Sequence, residues 1–213
     1  RPSFSLPHRR PPRRRPAAEA AAAALLGEER NTSVTRVATG APLPKTGGGS
    51  GRRRCASRKL LHWNVLDGGS RRLDRICDYL REGGYDVVTL NELNGFSETK
   101  LSAWGARCGF PHSQLLAKSA YHLGVLSRHP LTLLRAEKGP TWAHGLLCVR
   151  VLGFEVCVTH LNPHDSTKRA AEARKIVKTV RAVPRGEGFM LTGDLNTLSS
   201  LDAGAHAAAG LLA

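Results

Sequence analysis

At 213 residues the chain is long enough for one domain plus tails, and none of its apolar runs approaches the ~20 residues that a membrane helix needs. Its 32 Lys and Arg against 17 Asp and Glu give a net charge of +15, a balance that favours anionic partners, nucleic acid or phosphates, and is silent about fold. The five cysteines, Cys55, Cys77, Cys108, Cys148 and Cys157, are odd in number and include no C-x-x-C pair, which speaks against a disulfide framework and against a zinc ribbon. Reduced thiols are therefore expected, in an intracellular compartment that composition does not resolve among cytoplasm, nucleus and organelle.

Residues 1–54 hold 12 of the basic residues against 3 Glu, and seven of the 12 prolines. With Arg9-Arg10, Arg13-Arg14-Arg15, an Ala run at 20–24 and Gly47-Gly48-Gly49, this segment has too little apolar surface to offset its ordering entropy. Two readings stand: a disordered linker, or an Arg- and Ala-rich organelle-targeting peptide. Residues 55–213 form the second region.

The texture changes at residue 58. The run 59–65 is a strand by length and apolarity. Ser70 is placed to cap a helix with Leu73, Ile76, Cys77 and Leu80 on one face, stopped by Gly83-Gly84. A strand over 86–92 follows, then a helix opened by Ser97 with Leu101, Trp104 and Cys108 on one face. Strands are expected at 113–117, 121–127, 131–135, 144–151 and 154–160, a helix from about Thr167 to Val183, and a strand at 188–193. A two-residue turn at Leu152-Gly153 sets Val151 opposite Phe154, Arg150 opposite Glu155 and Cys148 opposite Cys157. Both faces of this hairpin are then apolar, which predicts burial on both sides. The facing cysteines read as core filling rather than a disulfide.

Polar groups recur at strand ends: Asn64, Glu92, His160, and Asp194 with Asn196. A hard divalent cation binds oxygen ligands through one or two carboxylates, and Glu92 with Asn64 beside it suits that task. Asp194 is suited to orient or deprotonate an attacking water. Asn196 is suited to donate to a phosphoryl oxygen, and His160 to steady the same oxygens or assist the leaving group. Together they are the equipment of metal-assisted phosphoester hydrolysis. Asp67 and Lys118 read as either cleft-lining or surface residues, and the basic helix with Lys168, Arg169, Arg174, Lys175 and Lys178 as a solvated face or a ridge toward nucleic acid.

The segments LHWNVLDG (61–68), DVVTLNELNGF (86–96), YHLGVLSRHPL (121–131), VCVTHLNPHD (156–165) and FMLTGDLNTLSSLD (189–202), in this order, resemble the endonuclease/exonuclease/phosphatase (DNase I-like) superfamily. The resemblance implies an α/β fold, a four-layer α/β/β/α sandwich, with dependence on Mg2+ or Mn2+. Carried over, Asn64 and Glu92 match its metal-site residues, His160 its T-H-L histidine, and Asp194 and Asn196 its G-D-x-N motif. The family's later R-x-D-Y-I-like strand and closing S-D-H have no match in this sequence, and the chain begins with Arg1. The expectation is a C-terminally incomplete domain, inactive as it stands, from a metal-dependent phosphodiesterase acting on nucleic acid. Two alternatives are an inositol-phosphate or phospholipid phosphoesterase, and a non-catalytic nucleic-acid-binding relative. Oligomeric state is not legible.

Overall fold

The computed structural model describes residues 32–38 and 57–197. Among these residues nine strands form two sheets. The first takes the order β1 (Thr32–Ala38), β2 (Ser57–Asn64), β3 (Val87–Asn91), β5 (Leu123–Ser127), β4 (His112–Leu116); β2 and β3 run parallel and the other neighbours antiparallel. The second takes the order β6 (Leu131–Glu137), β7 (Leu146–Val151), β8 (Phe154–His160), β9 (Gly188–Asp194), with only β8 and β9 parallel. Three α-helices among the described residues pack with them in an α/β fold: α1 (Leu73–Gly83), α2 (Glu98–Arg107) and α3 (Ser166–Arg181). None of the described helices is long and apolar enough to cross a membrane.

The sheets face each other over Leu60, Val87, Leu123, Val125, Leu147, Val149, Val151, Val156 and Val158. On the outer side of the second sheet, Leu146, Cys148 and Cys157 pack with Trp142 and Ile176 of α3. The hairpin register is the one its alternation predicts: Val151 pairs with Phe154, Arg150 with Glu155, Cys148 with Cys157. One face of the hairpin meets the opposite sheet and the other meets a helix, so both are apolar.

Helix ends follow local chemistry. Ser97 caps α2 by accepting from the Lys100 N–H at 3.1 Å. Asp165 caps α3 by accepting from Thr167 and Lys168 at 2.9 and 3.0 Å. Ser70 does not cap α1. A 3-10 stretch, Asp67–Arg72, intervenes, in which the Ser70 hydroxyl donates to Asp67 O, and α1 begins at Leu73.

Two expectations are corrected. The tail reading of residues 1–54 does not hold at Thr32–Ala38, which pairs antiparallel with β2 along seven residues. The sequence TSVTRVA is rich in β-branched residues, and β2 offers an open backbone edge, so pairing outweighs the unpromising flanks. The rest of that segment lies outside the described residues. The reading of the cysteines as free thiols and core filling is also overturned. Cys148 is bonded to Cys157, and Cys77 in α1 to Cys108 at the end of α2. Directly opposed positions with Cα atoms 4.1 Å apart put Cys148 and Cys157 in bonding reach once the hairpin closes. Cys55 lies outside the described residues.

Candidate active site

The polar strand ends come together because both sheets contain a parallel pair. In the first, Asn64 ends β2 beside Asn91, the last residue of β3, and Glu92 follows. In the second, His160 of β8 is in register with Asp194 of β9. The carboxyl ends of the two pairs face each other across the sandwich. Gly193 lets β9 lie close against β8 at this end: its φ is 143°, and a Cβ there would run into the backbone of its register partner Thr159.

The centre of the site is the Asn64 amide. Its Nδ2 lies 2.8 Å from Glu92 Oε1 and 3.4 Å from Asp194 Oδ2, while its Oδ1 accepts from the Leu66 N–H at 3.1 Å. Glu92 Oε2 lies 3.4 Å from the Asp67 N–H, and Glu92 O accepts from Gly68 N at 2.7 Å. The loop after β2 thus wraps the Glu92 loop. Asp194 Oδ1 accepts from the Asn196 N–H at 2.9 Å, and Asn196 donates one side-chain N–H to Leu161 O at 2.7 Å. Of the six non-glycine residues with positive φ among the described residues, Leu66, Asp67, Glu92 and Asn196 lie in these loops. Left-handed backbone at bulky residues costs free energy and persists where surrounding contacts enforce it, commonly at working sites.

The expected residues Asn64, Glu92, His160, Asp194 and Asn196 therefore share one end of the sandwich. Asn64 turns its amide N–H, rather than its oxygen, toward the two carboxylates. Two carboxylates converging on one amide form a hard, oxygen-rich donor set that suits a divalent cation. The Nδ1 of His160 is buried and has no hydrogen-bond partner among the described residues, which leaves it available to a ligand. Burial lowers the pKa of His160, opposed by the nearby carboxylates of Asp194, Glu92 and Glu172.

Several neighbours carry no signal in the local sequence. His144 stacks on His160 at a ring separation of 4.5 Å, and Tyr121 stands edge-on to both, at 5.0 and 6.1 Å. Burial pushes His144 down to about 4, with His160 and Lys118 adding to the shift. His62, buried between the sheets, is likewise pushed down to about 4 by burial, against the attraction of Asp194. Its Nδ1 is 3.1 Å from Thr89 Oγ1, which is 2.9 Å from Thr192 Oγ1. Glu172 of α3, 1 % exposed, accepts from Ala143 N at 2.5 Å and from Asn162 N at 2.9 Å. One buried carboxylate thus ties together the two loops that carry His144 and follow His160. Extending the hairpin register one residue beyond the Leu146–Thr159 pair sets Gly145 opposite His160, with His144 next in line, which is the one signal the sequence holds for this contact.

Another cluster of metal-type side chains, Cys148, Glu155 and Cys157, is closed on itself: the cysteines are bonded and Glu155 pairs with Arg135. The basic helix is partly engaged in structure. Arg169 donates to Asn162 O, and Lys175 bonds Thr141 and lies over the Trp142 ring.

A comparison with curated proteins finds no match. Among solved structures, the chain is similar to zebrafish (D. rerio) TDP2 complexed with a single-strand DNA product, with 22% identity over 68% of this chain and 63% of that one and a TM-score of 0.53. It is similar to an AP endonuclease from Archaeoglobus fulgidus, with 18% identity, 68% and 60% coverage and a TM-score of 0.54. A third is the 3' phosphatase NExo from Neisseria, a point variant bound to a product DNA hairpin, with 19% identity, 67% and 60% coverage and a TM-score of 0.51. The chain spans 60% to 63% of the length of these three, and at such identities the likeness shows the fold. Residues 61–213 match the sequence model of the Endonuclease/Exonuclease/phosphatase family, most of the described fold and all five site residues included, and the chain belongs to that family.

Proposed function

We propose that this chain is the catalytic region of a divalent-metal-dependent phosphodiesterase acting on nucleic acid. The observation that carries the reading is the convergence of Glu92 and Asp194, from opposite sheets, on the Asn64 amide. Glu92, steadied by Asn64, would hold Mg2+ or Mn2+. Such an ion, when bound, supplies Lewis-acid stabilisation of a phosphoryl oxygen and a more acidic water.

The chain's own groups do the rest. Asp194 has one oxygen on the Asn196 N–H and the other turned toward Asn64, an orientation suited to accepting a proton from the attacking water. His160, kept neutral by burial, donates its single ring N–H to a phosphoryl oxygen as charge builds there. Asn196, with one side-chain N–H fixed on Leu161 O, has a second for the same oxygens. The basic sequence supports an anionic polymer as substrate, and two of the similar structures hold DNA.

The experiment compares Mn2+-dependent hydrolysis of single-stranded DNA, single-stranded RNA, duplex DNA and inositol polyphosphates. Glu92→Gln and Asp194→Asn should each lower the rate on the true substrate by roughly 10²-fold or more. Unchanged hydrolysis in both variants would sink the site assignment. Metal binding is measured beside turnover.

A further inference from the structure

Among the described residues six large apolar side chains are exposed, and three of them rim the candidate site. Leu66, 44 % exposed, has its N–H on the side chain of Asn64. Leu195, also 44 % exposed, stands between Asp194 and Asn196. Tyr121, 42 % exposed, touches the rings of His144 and His160. Tyr121 is also held in place from below. Its N–H donates to Ser119 Oγ at 3.1 Å, and that hydroxyl is 2.8 Å from His144 Nδ1. The next residue, His122, accepts at its carbonyl from Leu93 N–H and places Nδ1 3.0 Å from Phe96 O, so the Tyr121 turn is tied to the loop after Glu92.

Charge at this mouth runs the other way from the molecule as a whole. Glu92, Asp194 and Asp67 gather there; among the described residues the Arg72 guanidinium is taken up by Val65 O and Leu66 O at 2.6 and 2.9 Å, and Lys118, close enough to act on His144, is a single cation at the other side. A ligand with many phosphates needs several free cations around it. A single phosphodiester flanked by flat, weakly polar groups needs one cation at the phosphate and apolar surface beside it. An exposed aromatic ring is such a surface, because every nucleobase has a π-face to lay against it.

Resting on the phosphodiesterase reading above, we propose that Tyr121, with Leu66 and Leu195, forms a stacking rim for an unpaired nucleobase next to the scissile phosphate. The rim selects single-stranded or frayed nucleic acid over duplex and over inositol polyphosphates. Tyr121 is a specificity-determining residue, and the His144 and Ser119 side chains preset its ring.

The test is equilibrium binding of a fluorescent single-stranded oligothymidylate with phosphorothioate linkages, in the presence of Mn2+ and at about 0.2 M salt to weaken charge-driven binding. The probe is competed with the same sequence as duplex and with inositol hexakisphosphate. Tyr121→Ala should weaken binding roughly tenfold or more, the worth of one stacked base, and Tyr121→Phe should restore it. Wild type should prefer the single strand to both competitors. Equal binding by Tyr121→Ala, or preference for duplex or inositol hexakisphosphate, overturns the proposal. Mn2+ binding, followed separately in wild type, Tyr121→Ala and Glu92→Gln, reports on the underlying reading: it should be lost only in Glu92→Gln. Absence of Mn2+ binding from wild type would count against the metal site rather than the rim.

Discussion

Glu92 follows a strand of one sheet and Asp194 ends a strand of the other, far apart in the chain, yet both carboxylates reach the same Asn64 Nδ2, at 2.8 and 3.4 Å. The amide is a donor wedged between two like charges. Asn64→Ala removes it and leaves the carboxylates to repel across the gap. In metal-free protein near neutral pH, a loss of about 1–3 kcal/mol is expected, since hydrogen bonds to charged groups fall in that range. Saturating Mn2+ should narrow the gap to wild type. A deficit identical with and without Mn2+ would argue that the carboxylates do not share a cation.

Glu172 is a second such tie. Its two oxygens hold the N–H groups of Ala143 and Asn162, and the carboxylate is buried. Glu172→Ala orphans two backbone donors, at about 1–3 kcal/mol each, and should lower Tm by at least about 5 °C. Glu172→Gln, which keeps one acceptor, should fall between. The amide proton resonances of Ala143 and Asn162 should both move in Glu172→Ala, and an unmoved Asn162 would show that the clamp is not formed.

Acid sensitivity follows from His62 and His144. Burial holds both near 4 in the fold, against an ordinary value of 6.5. Below about pH 6.5 the unfolded chain takes up these protons and the folded chain does not. Stability is therefore full above that pH and is lost as pH falls toward 4, by about 3 kcal/mol for His62 and by less for the more solvent-screened His144. Urea midpoints of metal-free protein measured from about pH 7 to 4.5 should fall accordingly, and His62→Gln with His144→Asn should flatten the curve. A curve as steep in the double variant as in wild type would assign the acid loss to other groups.

The cysteine pairing is open to a direct count. With Cys77–Cys108 and Cys148–Cys157 bonded, alkylation of the unfolded, unreduced protein should label Cys55 alone. Labelling of all five without reductant would return the cysteines to free thiols.

Much of this is legible in the sequence where the cause is local. The hairpin at Leu152-Gly153 announces its register because alternation on both strands and a two-residue turn admit one pairing. Ser97 announces α2 by its capping chemistry. Asn64, Glu92, His160, Asp194 and Asn196 are visible as polar groups ending apolar strands. What stays hidden depends on partners distant in sequence. Glu172 sits in a helix crowded with Lys and Arg, where a carboxylate looks like half of a surface ion pair. Tyr121 and His144 are 23 positions apart and meet only when both sheets are closed. The strand Thr32–Ala38 lies in a stretch whose bulk composition opposes order, and forms because β2 supplies an edge. The disulfides escape a reading by cysteine count and spacing, which carry less information than strand register.

The most direct test of the account is a calorimetric titration of residues 1–213 with Mn2+, beside Glu92→Gln and Asp194→Asn. The account predicts one site in wild type, binding abolished in Glu92→Gln and weakened in Asp194→Asn, with all three proteins folded by circular dichroism. Wild-type affinity retained in Glu92→Gln would contradict it, because the cation would then lie somewhere other than where Glu92 and Asp194 converge.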